Sequence, residues 1–179
     1  MPSICATNEV SYISVYAILA VLAFNTVPAL ALGSLTKELL VESAVLATLA
    51  ALVYWVKLVQ QHRWCEMTPH ANQVTVHSVS PFFSARKQQY PLSQFGSVRS
   101  YITPGRFARN RVELVTKAGG EALLVAWFTP SNGARSFWSM PTEAENPKAA
   151  SARDAIANQC ALVNSGFLGT RLVGAQIKT

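Results

Sequence analysis

Two apolar runs, Tyr12 to Leu32 and Leu39 to Val59, constrain this chain more than anything else in it, and only the short polar break Gly33-Ser34-Leu35-Thr36-Lys37-Glu38 separates them. Each run is about 21 residues, and a helix of that length, rising about 1.5 Å per residue, crosses a hydrocarbon core of about 30 Å. A soluble amphipathic helix repeats a polar position every three or four residues. Here the first run offers only Ser14, Asn25 and Thr26, and the second only Glu42, Ser43 and Thr48 before Lys57. The pattern predicts a two-helix transmembrane hairpin over residues 12–59, after a short segment 1–11.

Charge and cysteine usage agree with a membrane anchor joined to one domain. Half of the 179 residues are hydrophobic and 13% are charged, with a mean hydropathy of +0.23, which is low in charge for a soluble protein. About 115 residues follow the hairpin, enough for one compact core and too few for two. The formal charge of +6 is concentrated there: thirteen basic residues face six acidic ones after Val59, a balance suited to anionic headgroups. Cys5, Cys65 and Cys160 are scattered and odd in number, which argues against a disulfide framework and for a reducing compartment. No lysine or arginine precedes the first run, so the basic start of a secretory signal peptide is missing. Lys37 stands alone in the break, against Lys57, Arg63, Arg86 and Lys87 beyond the second run, and the positive-inside rule then puts both termini in the cytoplasm. Tyr12 and Tyr16 open the first run and Tyr54, Trp55 and Trp64 close the second, so an antiparallel hairpin gathers them at one interface.

Within the hairpin, Ala17, Ala20 and Ala23 on one run and Ala44, Ala47, Ala50 and Ala51 on the other are small residues that let helix backbones approach in lipid. Pro28 frees a carbonyl that needs a donor such as Thr26 or a partner chain. Asn25 and Glu42 are the strongly polar side chains at depth. Glu42 either reaches the outer interface or makes a buried contact to another membrane subunit. Intramembrane docking is assigned to Asn25, Glu42, Ala44, Ala47 and Ala51.

From Lys57 to Arg63 nothing breaks the second helix; past that point the hydrophobic period changes from 3.6 to 2. Seven strands are predicted, near Arg63 to Thr68, Val74 to Val79, Ala85 to Pro91, Gly96 to Thr103, Arg111 to Thr116, Ala122 to Phe128 and Ala134 to Met140. One amphipathic helix follows. Asn146 caps it, Pro147 suits its first turn, and Ala152, Ile156, Cys160 and Val163 form a stripe that ends at Gly166. The tail from Phe167 to Thr179 has no assignment.

Seven short strands and then one helix is the order of a pleckstrin-homology-like barrel. With Asn72-Gln73-Val74-Thr75-Val76 as an early strand, Tyr90-Pro91-Leu92-Ser93-Gln94-Phe95-Gly96-Ser97-Val98-Arg99 leading into the fourth, Arg111 to Thr116 and the turn at Gly119-Gly120, residues 63–166 resemble the bacterial PH-like domains that follow a transmembrane hairpin. The fold class expected is a membrane α+β protein: hairpin 12–59, cytoplasmic PH-like seven-stranded antiparallel barrel capped by a C-terminal helix over 60–166, and tail 167–179. The resemblance implies a bacterial inner membrane and a scaffold for protein contacts. Some photosynthetic-complex assembly proteins join membrane helices to a PH-like domain, which implies an accessory role in an energy-converting complex.

Catalytic signatures are missing: there is no P-loop, G-x-S-x-G, H-E-x-x-H or C-x-x-C, and Asp154 is the single aspartate. The expectation is a non-enzyme without cofactor. His62, Cys65, His70 and His77 come nearest to a metal cluster, but their spacings of three, five and seven match no zinc module, and a metal-dependent enzyme is the least favoured reading. The run Arg86, Lys87, Arg99, Arg106, Arg109 and Arg111 has no acid between Lys87 and Arg111. Its last three members share a loop with Phe107, which suits lipid phosphates or a partner protein, the plainer alternative being a solvated basic surface. In eukaryotic PH domains the phosphoinositide bases lie between the first two strands; that loop, taken here as Thr68 to Gln73, has no lysine or arginine. A lone aromatic among the loop bases argues against nucleic acid. Trp127-Phe128 and Phe137-Trp138 would each send one ring outward from a strand, to be covered by a partner, the membrane or the domain itself. Partner or lipid contact is assigned to Arg106, Phe107, Arg109, Arg111, Trp127 and Trp138, the expected partners being integral membrane subunits and anionic headgroups.

Overall fold

The computed structural model describes residues 3–10, 12–34, 36–79, 84–104, 108–130 and 144–177. Two compact units emerge, Val10–Gln60 and Met1–Glu9 together with Gln61–Thr179. The first unit carries two long helices, α1 (Ile13–Ala31) and α2 (Lys37–Gln61), both long and apolar enough to cross a membrane. Their lengths come to about 28 and about 37 Å. The Tyr12 and Tyr54 rings lie 5.8 Å apart, bringing the start of the first helix beside the far part of the second.

Shielding along the helices follows a coiled-coil-like step. Val15 and Ala50 are buried, and the half-buried positions Ile18, Leu22, Thr26 and Ala29 on α1 and Leu39, Ser43, Leu46 and Val53 on α2 recur every three or four residues. That spacing marks the seam between the two helices. Of the seven alanines expected to draw the two helices together, Ala50 is buried, whereas Ala17, Ala20, Ala23, Ala44, Ala47 and Ala51 are exposed, and for those six the expectation is corrected. Ala17, Ala20 and Ala23 step by three residues each time, which drifts around a helix of 3.6 residues per turn, whereas the mixed steps of the seam do not. The Thr26 hydroxyl donates to the Leu22 carbonyl at 2.8 Å rather than to the Phe24 carbonyl that Pro28 leaves without its helical donor.

In the second unit the described residues form two four-stranded sheets and one helix. The first sheet has the order β1-β2-β3-β4, from β1 (Ile4–Thr7), β2 (Trp64–Thr68), β3 (Gln73–Val79) and β4 (Ala85–Pro91), all antiparallel. The second has the order β7-β6-β5-β8, from β5 (Phe95–Ile102), β6 (Asn110–Thr116), β7 (Ala122–Phe128) and β8 (Val163–Thr170), with β8 parallel to β5. Between β7 and β8 runs α3 (Pro147–Cys160), whose Asn146 cap accepts from the Lys148 N–H at 2.8 Å. Both sheets and the helix contribute to one core: Met67, Val74, Phe95, Val98, Val112, Leu114, Leu123, Ile156 and their neighbours are buried.

Three expectations change. The first strand lies ahead of the hairpin, because Ile4 pairs with Met67 and Thr7 with Trp64. The connection from β1 to β2 is therefore the hairpin itself, and Thr68 to Gln73 joins the second strand to the third. The helix stops at Cys160, since Ala161 takes a left-handed φ of 51° and turns the chain back. Val163, expected on the apolar stripe, is 67% exposed and starts β8. Residues 163–170, part of them expected as an unassigned tail, run beside β5 with two register shifts, each taking up one extra residue, and left-handed Gly166 and Gly169 fall within them. The strand expected from Ala134 to Met140 lies outside the described residues.

Candidate functional site

Asn25 and Glu42 lie at matching positions on the hairpin, six residues before the end of α1 and five after the start of α2. At about 1.5 Å per residue, each is about 8 Å along its helix from the break. Both side chains are exposed and have no hydrogen-bond or ionic partner among the described residues. Exposed Ala44, Ala47 and Ala51 follow Glu42 along α2. A shallow groove of about 490 Å³ runs over α2, lined by Val41, Ala44, Val45, Thr48, Leu49 and Leu52. All five residues assigned to intramembrane docking are thus open at the surface of the hairpin.

The residues assigned to contact by the domain fare differently. Strand alternation puts Arg99, Tyr101, Arg111, Glu113 and Trp127 on the face of the second sheet turned away from α3, paired as Arg99 with Glu113 and Arg111 with Tyr101 and Trp127. Glu113 is completely buried there. Its Oε1 accepts from the Tyr101 hydroxyl at 2.7 Å, Arg111 Nε at 3.1 Å and Gln176 Nε2 at 3.0 Å, and its Oε2 from Arg99 Nη2 at 3.1 Å. Burial, reinforced by the hydrogen bond to Glu113, raises the Tyr101 phenol well above its usual range. Arg111 is accordingly an interior partner rather than a free surface base. Trp127 is 7% exposed, with the Arg109 guanidinium 3.9 Å over its ring. Phe128 joins the core while Trp127 lies on the opposite face and is buried there as well, so of the covers expected for the outward ring the domain itself supplies it. Burial, with the neighbouring charge of Arg111, lowers the Arg109 pKa. Arg106, Phe107 and Trp138 lie outside the described residues.

Residues 171–177 cross this same face as a strap. Arg171 N–H donates to the Ile102 carbonyl, Ala175 and Ile177 bond to either side of Ala122, and the Gln176 amide bridges Arg111 and Glu113. Beneath the strap is a cavity of about 380 Å³ lined by Arg99, Tyr101, Thr170, Arg171, Leu172 and Gly174. Sequence reasoning missed Glu113, Arg171 and Gln176. The sole carboxylate in a long basic run was the legible signal for Glu113; nothing in the sequence marked the strap.

At the opposite edge, the residues just after β1 fasten to β7 and α3. Glu9 N–H donates to the Trp127 carbonyl, Trp127 N–H to Asn8 Oδ1 and Thr129 N–H to Glu9 Oε2. Lys148 Nζ reaches Glu9 Oε1 at 2.8 Å. Burial alone would raise the Glu9 carboxyl, but the Lys148 ammonium and the Thr129 N–H outweigh it and hold it below the usual carboxylate range. On the helix side, buried Arg153 binds Ser100, Glu145 and Asp154, fixing α3 to β5.

Register separates the suspected metal residues. Cys65 pairs with Val76 in the core, where burial pushes its thiol up to about 12. His77 pairs with Trp64 on the other face, stacked on its ring at 4.6 Å and 3.6 Å from Glu66. Among the described residues no three of His, Cys, Asp and Glu converge as a metal site. No family model, curated protein or solved structure matches this chain.

Proposed function

We propose that the chain is a non-enzymatic accessory, assembly or scaffolding subunit of a larger complex in a bacterial inner membrane, with both termini and the sheet domain on the cytoplasmic side. One observation carries it. Asn25 and Glu42 stand unpartnered at the same depth of an otherwise apolar hairpin. A charged side chain in the hydrocarbon region costs on the order of 3 kcal/mol, and a donor from a neighbouring subunit offsets that cost. The exposed alanines beside Glu42 give such a neighbour room to approach.

Strand order supports the PH-like reading. β1 to β4, then β5 to β7, then α3 is seven strands followed by a helix, with β8 an addition and the hairpin set between the first two strands. A role in an energy-converting complex, photosynthetic or respiratory, rests on that resemblance.

The test is purification of the tagged full chain from its native membrane in mild detergent, followed by mass spectrometry. A stoichiometric membrane partner is expected, and it should be lost from a double variant Asn25→Ala, Glu42→Ala. Recovery of the bare protein at low and high salt overturns the subunit reading and leaves a membrane-tethered sensor of anionic lipid.

A further inference from the structure

The cavity under the strap is short of negative charge. The face it opens from brings together the guanidinium groups of Arg99, Arg109, Arg111 and Arg171, and among the described residues Glu113, bonded to Arg99 and Arg111, is the one carboxylate paired with any of them. Glu113 divides its oxygens between Arg99 and Arg111. Arg109 is spent on the Trp127 ring, and the Arg171 side chain has no partner among the described residues. Arg99 Nε is sheltered from solvent and makes no hydrogen bond. The backbone N–H groups of Leu172, Val173 and Gly174 are likewise without partners among the described residues. A surplus of guanidinium charge in a partly desolvated place is costly until an anion joins it.

From this we infer that the cavity binds a phosphoryl group carried on a small organic moiety. Two arginines, Arg99 from β5 and Arg171 from the strap, and a row of free amides suit an anion with several oxygens pointing in different directions, better than a flat carboxylate held by a single fork. The volume of about 380 Å³ leaves room beyond the phosphoryl oxygens, and Leu172 offers that room an apolar wall. Tyr101 holds the floor in place through its bond to Glu113, and Thr170 adds a hydroxyl at the rim. The site belongs to the sheet domain alone and does not rest on the subunit role proposed above.

The experiment uses the full chain in mild detergent with glycerol 3-phosphate as the soluble probe, and the full chain in zwitterionic nanodiscs with or without phosphatidylglycerol as the lipid probe. Thermal unfolding is the readout. A saturable rise in midpoint is expected with at least one probe, and sodium chloride at the same ionic strength should not reproduce it. A response to glycerol 3-phosphate identifies a soluble ligand, and a response to phosphatidylglycerol alone identifies a headgroup. Arg171→Gln removes one of the crowded guanidinium groups, so its midpoint without ligand should be no lower than the parent's, while its affinity falls about tenfold or more. Gly174→Leu keeps every charge and fills the space, since a Cβ there already stands 3.9 Å from Arg99 Nη2. It too should abolish the response. Lys87→Gln on β4 should leave it intact. The inference falls if neither probe acts saturably, if both cavity variants respond like the parent, or if Lys87→Gln weakens binding as much as Arg171→Gln.

Discussion

Glu113 shows how much depends on one buried carboxylate. It bonds two arginines, a tyrosine and a glutamine at once, so Glu113→Ala leaves Arg99 and Arg111, diagonal neighbours on β5 and β6, with no counter-charge. The expected loss is about 3–5 kcal/mol in denaturant unfolding, and a loss under about 1 kcal/mol would show that the cluster is not held by this group. Glu9 is milder and responds to pH. Its folded carboxyl titrates below the unfolded value, so its contribution is complete above the unfolded pKa of about 4.3 and disappears as pH falls through the lower, folded value. Glu9→Gln should flatten the stability profile in that acid window and cost less than about 1 kcal/mol near neutrality, because Lys148 is largely exposed. Little of this was visible from residue type. A glutamate alternating with Val112 and Leu114 reads as solvent-facing when only one side of a strand is buried; here a strap covers the other side too.

The first six strands of the sequence reading, from Arg63 to Thr68 through Ala122 to Phe128, persist within a residue or two, because alternation and turn residues are local signals. β1 escaped because Ile4–Thr7 is four residues long and its partner lies some 60 positions away, a pairing no local pattern carries. The end of α3 was misplaced because Val163 continues the apolar step, and only the backbone reversal at Ala161 breaks it. That reversal costs alanine more than glycine, so Ala161→Gly should stabilise the domain by about 0.5–1 kcal/mol, read from the unfolding midpoint. β1 invites the opposite experiment. Ala6 is 6% exposed in the core, and Ala6→Asp should detach the strand and open the β2 edge, seen as lower unfolding temperature and concentration-dependent aggregation. Unchanged stability would show that the first sheet closes without it.

At the scale of the whole molecule, the chain leaves the sheet domain after Glu9 and returns to it at Gln61. On the proposed topology two bilayer crossings lie between, which puts Cys5 and the domain on one side and the break around Ser34 on the other. In intact spheroplasts carrying a Cys160→Ser background, a membrane-impermeant maleimide should label the thiol introduced by Ser34→Cys, and label Cys5 only after permeabilisation. Cys65 should resist in the folded state, being buried with its thiol pushed up to about 12. Labelling of Cys5 and the introduced thiol from the same side would rule out the hairpin topology. The pairing of Thr7 with Trp64 then bears on biosynthesis. The ribosome releases β1 first, and its partner emerges only after both apolar helices have been made. A nascent chain whose second helix fails to return leaves β1 on one side of the bilayer and the remaining strands on the other, without the piece that completes their first sheet. A copy threaded in that way would expose the unpaired edge of β2.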